Sequence, residues 1–491
     1  MKPEQPVIYE INTWVWLVDL SAQAGKNVNL ANVPDSIWDQ LAELQLDYVW
    51  LMGVWQRSGA SRKIARQHIG LQDELGKALP GLTTDDVVGS AYAIKDYVVA
   101  DRLGGEAGLA QARAALRTRN IGLLLDYVPN HVAVDHRWVT EAPECLLTVA
   151  KKSGNCPSGT FKAGNHCVAH GRDPYFPPWT DTAQLNAFST AMRLEAAQLM
   201  RRLATVCDGV RCDMAMLLLD DDFQRTWGKV AGEPLETEFW TDTMAAARAV
   251  DPDFKFMAEA YWEREHRLLE LGFDWAYDKT FYDLLRDDDP QEIEQHLERT
   301  ARFCHRLVKF TENHDEPRAA ATFAAARVRS AAVTAALMPG PLLVHEGQLE
   351  GRRVRLPVQL GRRRDEPADM ELAAFHRRLS DVRTHPAFRR GRHQILRCWG
   401  WPDNSSHKQL LAWLRETDEE RFVIVVNMSD QPSQARIPLP WADLEGRNWL
   451  LEDRVNEQQY ERFGEEMRRP GLYVELVPWG YHVFKICPVP D

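Results

Sequence analysis

This chain of 491 residues is short of several things. It has no long apolar run: stretches such as "LLLDYV" and "YVWLMGVW" fall far below the ~20 residues that cross a bilayer. Positive charge is in deficit, with 59 Lys and Arg against 71 Asp and Glu. The formal net charge of −12 argues against a nucleic-acid binder, which usually carries a basic face. Cysteines number eight, scattered and in no zinc-binding spacing. The opening "MKPEQPVIYEINTWVWLVDL" lacks the pattern of an export signal, so the thiols are read as free and the protein as cytoplasmic. That reading includes Cys145, Cys156 and Cys167, which lie near His166 and His170 in one loop-like segment. There is no low-complexity tract, short repeat or Gly-rich phosphate loop.

What is present is ordinary globular material, 45% hydrophobic and 26% charged. Short β-rich runs alternate with amphipathic stretches such as "DSIWDQLAEL" and "EAGLAQARAALRTRN". The expected strands are Val7–Leu17, Asp47–Trp55, Ile121–Tyr127, Gly209–Asp213, Phe254–Tyr261, Trp275–Lys279, Lys309–Asn313 and Pro341–His345. Strands alternating with helices imply a parallel sheet, and eight units in one stretch imply a (β/α)8 TIM barrel. Residues 132–183 are rich in turn formers and lack periodicity, so they are read as an inserted domain after the third strand. From residue 386 onward, runs such as "KQLLAWLRE" and "RFVIVVNMS" predict a C-terminal all-β sandwich domain over 386–491. The barrel then comprises 1–131 and 184–385.

In a parallel barrel the chemistry gathers at the carboxyl ends of the strands. The third run ends in "DYVPNH", with Asp126, Asn130 and His131. The fourth, "DGVRCDMA", carries Arg211 and Asp213 on one face and Cys212 on the other. The fifth, "FKFMAEAYW", ends near Glu259, and the seventh, "FTENHDEPR", supplies Glu312, His314 and Asp315. A lone strand-end acid, such as Glu10, is read as structural. Four polar clusters at one mouth are not explained by stability, because each buried charge costs free energy.

Retaining glycoside hydrolysis needs an ionised carboxylate nucleophile and a protonated carboxylic acid. A guanidinium lowers a neighbouring carboxyl's pKa, which suits Arg211 beside Asp213. Apolar walls raise one, which suits Glu259 between "FMA" and "AYW". Asp315 is then available to hold sugar hydroxyls and stabilise a cationic transition state, with His131 and His314 bonding hydroxyls.

The four motifs, in this order, resemble those of the α-amylase family, glycoside hydrolase family thirteen, over roughly 350 residues. The resemblance implies a (β/α)8 barrel, an inserted domain after strand three and a C-terminal β-sandwich. It implies Asp213 as nucleophile, Glu259 as acid/base and Asp315 as transition-state stabiliser. It makes Arg211, His131 and His314 substrate contacts. Tyr92, in "GSAYAIKDYVVADRLGG", resembles the tyrosine that stacks on the sugar, and residues 181–186, "DTAQLN", resemble the motif closing the inserted domain. The implied partner is an α-glucan or maltooligosaccharide, with α-1,4 bonds cleaved through a covalent intermediate. No nucleic acid or membrane partner is expected.

The chain also departs from the family. Many members carry Lys-His three and four residues after the nucleophile, where this sequence has Met216 and Leu217. That histidine serves a structural calcium site through its carbonyl. Asn130 remains, but no metal or other cofactor is expected to be obligatory. Leu349 follows Gly347-Gln348 where a Glu is common. Two alternatives stand beside the hydrolase. A transglycosylase (maltosyltransferase, branching-type or trehalose-forming) shares every residue named. An inactive binding or chaperone-like relative loses triad members, and here all three carboxylates stand.

Overall fold

The computed structural model describes residues 3–151, 155–287, 289–323 and 326–489. Its centre is a sheet of eight parallel strands: β1 (Val7–Asn12), β2 (Tyr48–Met52), β3 (Gly122–Tyr127), β4 (Gly209–Cys212), β5 (Lys255–Ala258), β6 (Trp275–Tyr277), β7 (Leu307–Val308) and β8 (Leu342–His345). They run in the order β7-β6-β5-β4-β3-β2-β1-β8. The ring closes where Lys309 N–H donates to Pro341 O at 2.8 Å and Leu343 N–H to Lys309 O at 2.9 Å. The fold is a (β/α)8 barrel.

Six of the eight strands end earlier than the sequence expectation, and three of the runs also change in kind or position. The run from Val7 stops at Asn12 and becomes the helix Thr13–Ala24, which buries Thr13, Trp16, Leu17 and Leu20 at helical spacing. The second run divides into β2 and Trp55–Arg57, which pairs antiparallel with Ile94–Val99. The seventh strand is Leu307–Val308, just before the expected Lys309–Asn313.

The period-2 alternation sorts side chains cleanly. Inward residues Ile8, Trp50, Leu124, Met257, Tyr277 and Leu343 fill the lumen. Outward residues Val49, Leu51, Leu123, Val210 and Cys212 pack under the helices. Gly209 fixes the tightest approach: a Cβ there would stand 2.6 Å from Lys255 O and 2.8 Å from Leu124. This holds β4 in register, with Arg211 beside Asp126 of β3 and Met257 of β5.

Between β3 and the helix Thr190–Val206 lies an excursion of small antiparallel pieces. His131–Ala133 pairs with Thr182–Gln184, and His166–Ala169 pairs with both Thr148–Val149 and Thr160–Ala163. Here the free-thiol reading needs correction, because Cys156 and Cys167 form a disulfide. Such bonds belong to oxidising surroundings. Sequence alone offered no pairing signal, since a hairpin that the composition does not announce brings the two together.

The C-terminal region holds β9 (Arg392–Ile395), β10 (Leu410–Glu416), β11 (Arg421–Asn427), β12 (Ser433–Ile437), β13 (Asn448–Asp453), β14 (Gln458–Phe463), β15 (Leu472–Leu476) and β16 (Tyr481–Pro488). Six form one antiparallel sheet, β9-β10-β11-β16-β13-β14, and β12 pairs with β15. The large sheet is buried on both faces. Leu411, Trp413, Phe422, Ile424 and Val426 pack on the barrel helices Arg327–Leu337 and Met370–Arg383, and Leu410, Ala412, Leu414, Val423 and Val425 pack toward β12 and β15. Two buried arginines tie the ends together. Arg383 donates to Gln5 O, Gly340 O and Ala336 O, and Arg415 to Gln5 Oε1, Ala387 O and Phe388 O. Among the described residues, no helix is long and apolar enough to cross a membrane.

Candidate active site

At the carboxyl end of the barrel the inward row of side chains turns from apolar to charged. Asp126 and Arg211 take the last lumen positions of β3 and β4, Glu10 takes the one before Asn12 on β1, and Glu259 follows β5 by one residue. A buried cation among acids is stable only if each charge is matched. Arg211 is fully buried, and its guanidinium lies over the rings of Trp50, Tyr92 and Tyr277 at 5.3, 5.2 and 5.7 Å. Its Nη1 donates to Asp213 Oδ1 at 2.7 Å. Its Nη2 stands 2.7 Å from Glu259 Oε2, an ion-pair distance without hydrogen-bond alignment.

The turn after β4 locks the two acids together. Met214 adopts φ 44°, a left-handed conformation unusual for a side-chain-bearing residue. Its N–H thereby donates to Glu259 Oε2 at 2.6 Å, and Ala215 N–H to Glu259 O at 3.0 Å. Tyr261 OH donates to Glu259 Oε1 at 2.7 Å.

The acids differ in proton affinity for identifiable reasons. Burial pushes Glu259 up to about 7, opposed by Arg211 and assisted by Asp213 and Asp315. Burial also raises Asp213 above the ordinary carboxylate range, with Arg211 pulling it back. The sequence expectation of a lowered Asp213 therefore identified the counter-ion but omitted the larger desolvation effect. Asp315 opens to solvent, yet it is lowered to about 2: partial desolvation in the site raises it, and the neighbouring His314 cation more than compensates. His314 itself is held well above its usual value. Burial lowers it, but Asp315 and Glu10 outweigh this. His314 Nδ1 lies 2.5 Å from Glu10 Oε1, and its Nε2 lies 2.9 Å from Tyr92 OH and 3.0 Å from Asp315 Oδ2. Burial lowers His131 to about 4, so it is neutral at pH 7.

Tyr92, His131, Asp213, Glu259, His314 and Asp315 line one cavity of about 350 Å³, and Arg211 lies beneath it. Tyr92 stacks on His314, with centroids 5.3 Å apart and planes at 21°. His131 packs on Trp179 at 5.1 Å. The cavity also takes Trp179, Asp181 and Thr182 from the excursion, and Gln359 from the segment after β8. Glu312, at the end of the seventh run, is absent from this lining. Its carboxylate is engaged by Arg318, His345 and the Ala319 N–H. Glu10, read from sequence as structural, instead supports His314 directly. Its partner is 304 residues away, so no local pattern announces the contact. Tyr261 was legible only as an apolar neighbour of Glu259.

No family model matches the chain. Over 360 residues, 71% of the chain, it is 24% identical to an α-amylase of Haloarcula japonica. The match covers 49% of that protein, so the chain spans about half the length of its curated relative. A maltogenic α-amylase of Thermotoga neapolitana superposes with a TM-score of 0.70, at 18% identity and 100% coverage of both chains. A debranching enzyme of Nostoc punctiforme does so at 0.67, with 16% identity and 99% coverage of each. The chain has the α-amylase-family fold.

Within that fold, the position of the family's calcium can be tested against the residues present. Asn130 Oδ1 accepts from Gln184 Nε2 at 2.9 Å. The same nitrogen reaches Asn130 O at 2.8 Å and Leu185 O at 3.1 Å. The side-chain oxygen of Asn130, the one candidate ligand left in the sequence, is thus taken up by an amide nitrogen. The residues present do not fit a calcium ion.

Proposed function

We propose that this protein is a retaining α-glycosidase acting on α-1,4-linked maltooligosaccharides or glycogen-type glucans. The observation that carries this reading is Arg211, which sits 2.7 Å from both Asp213 and Glu259 while the two acids keep different partners. Asp213, bonded to the guanidinium, is the nucleophile. Glu259, pushed up to about 7, carries a proton near neutral pH. Asp213 attacks the anomeric carbon as Glu259 protonates the departing glycosidic oxygen, which leaves a glycosyl ester on Asp213 and a carboxylate on Glu259. Glu259 then takes a proton from water, whose oxygen attacks the anomeric carbon and frees Asp213. Asp315, ionised by its pairing with His314, faces the sugar and opposes its developing positive charge. Neutral His131 bonds hydroxyls, and Tyr92 presents a ring to the sugar.

Transfer to a sugar acceptor is the second reading, and one contact favours it. Trp262, three residues after Glu259, adopts φ 59° and packs edge-on against the exposed Tyr175 with centroids 4.8 Å apart. The pair lies outside the cavity lining, joined to the acid/base by the short run Glu259–Trp262, and offers an acceptor sugar a stacking surface.

Product chromatography of wild type and Asp213→Asn with maltoheptaose, with and without maltose, tests both. Shorter sugars alone, abolished in the variant, establish hydrolysis. Products longer than the substrate establish transfer. Equal activity in the variant refutes the mechanism.

A further inference from the structure

The C-terminal sheets carry a second aromatic cluster, on chain segments that contribute nothing to the cleft lining. Trp399 is 54% exposed, Trp401 36% and Tyr473 38%. Large aromatic rings are normally covered, so three together in solvent call for a ligand.

Their placement is set by the strand pairing. Trp399 N–H donates to Arg436 O at 2.9 Å, and Arg436 N–H to Trp399 O at 2.8 Å. Arg436 of β12 stands directly opposite Tyr473 of β15. Directly opposed residues project to the same face, so Trp399, Arg436 and Tyr473 form one transverse row. Trp401, two residues on, lies on that side, its ring 6.1 Å from Tyr473 at 74°. In the next row Gln434 opposes Glu475, and Tyr473 OH bonds both, at 2.8 and 3.0 Å. The opposite face of the same strands, Ala435, Ile437, Leu472 and Val474, is core.

The platform is built rather than loose. Trp401 and Asn404 exchange backbone bonds of 3.2 and 3.0 Å. Between the tryptophans, a Cβ on Gly400 would stand 2.0 Å from His407 Nδ1 and 2.7 Å from Asn404 O, so the loop closes only on glycine. Such preorganisation lowers the entropy lost on binding.

The chemistry of the face selects the ligand. Flat indole and phenol faces suit the C–H faces of sugar rings, and the adjoining amide, guanidinium and carboxylate suit hydroxyls. Arg436 and Glu475 occupy adjacent rows and cancel, so the face complements a neutral, hydroxyl-rich chain rather than an anionic polymer or lipid. We propose that the outward face of β12 and β15, centred on Trp399, Trp401 and Tyr473, binds an α-glucan chain at a site separate from the cleft. The identity of the glycan rests on the glucan reading above. Such a site holds a polymer at high local concentration beside the barrel.

The test is affinity electrophoresis in gels containing glycogen, together with kinetics on maltoheptaose. The variants are Trp399→Ala/Trp401→Ala and Trp399→Phe, with circular dichroism and Tm to establish folding. The double variant is expected to lose glycogen affinity about tenfold, with kcat/KM on maltoheptaose unchanged. Trp399→Phe should keep most of the retardation. A folded double variant retarded like wild type overturns the site. So does an equal fall on maltoheptaose, or a wild-type dimer in size-exclusion chromatography that the double variant abolishes. If wild type cleaves maltoheptaose while retardation is insensitive to the tryptophans, only the surface site fails. If wild type neither cleaves it nor is retarded, the glucan reading fails too.

Discussion

Replacing Arg211 with Met removes the charge between the two central acids while keeping a long unbranched side chain in a fully buried place. Both carboxylates lose a cation whose nitrogens stand 2.7 Å from their oxygens. With charge centres roughly 4 Å apart and an effective dielectric near 20, each pairing is worth up to about 4 kcal/mol. At about 1.36 kcal/mol per pH unit, that is at most about three units of displacement for each group. The sign is the same for both, because losing a cation makes a carboxyl bind its proton more tightly. Activity requires Asp213 ionised, so the acid limb of the kcat/KM profile moves to higher pH. Activity also requires Glu259 protonated, so the alkaline limb, placed near 7 in wild type, moves up as well. At pH 7 the variant should lose at least about a hundredfold in kcat/KM, the scale of breaking a buried charge pair. The assay is the pH dependence of maltoheptaose cleavage by wild type, Arg211→Met and Arg211→Lys, with Tm as the folding control. Arg211→Lys should restore part of the position of both limbs. A folded Arg211→Met variant whose limbs stay fixed, or move to lower pH, refutes the electrostatic reasoning.

Glu10→Gln removes one of the two acids that hold His314 charged and leaves Asp315, so His314 should bind its proton less tightly and lose it at a lower pH than in wild type. The expected result is a loss of about tenfold in kcat/KM at pH 7 that shrinks as pH falls, read from a pH–rate profile. Gln184→Glu turns the amide plug into a carboxylate facing Asn130 O, Asn130 Oδ1 and Leu185 O, so its Tm should rise with calcium and fall with chelator. Wild-type Tm should respond to neither, and a chelator-sensitive wild type would refute the fit test. Lys309, fully buried and paired with Asp278, should cost roughly 3–5 kcal/mol when replaced by Met, measured by urea unfolding. The double variant Lys309→Met/Asp278→Leu should recover most of that loss.

Much of this site was legible because barrel strands are short and their ends carry the chemistry. Asp213, Glu259 and Asp315 each stand beside a run whose apolar character predicts a strand, and the structure brings them to one cavity. What escaped the sequence was relational. Glu10 meets His314 across 304 positions, and Gln184 meets Asn130 across 54. Such contacts depend on tertiary closure, which no local period encodes. Boundaries failed where one pattern serves two structures: "TWVW" alternates like a strand, yet it opens the helix Thr13–Ala24. Asp213 shows the limit of charge patterning. A guanidinium beside a carboxylate is readable, but the depth of the site, which decides the net direction, is not.

The two-sided burial of β10 and β11 has a consequence for how this molecule comes apart. Trp413, Ile424 and Val426 are as much a wall of the barrel as any helix around it, and Gln5 is gripped by Arg383 from one side and Arg415 from the other. The segment leading into the first strand of the barrel and the strand β10 of the C-terminal sheet are therefore joined directly, though 410 positions separate Gln5 from Arg415. Peeling away residues beyond 386 would strip an apolar surface bare and unclasp the start of the chain together. The C-terminal sheet is a keystone, and the two halves should melt as a single cooperative unit.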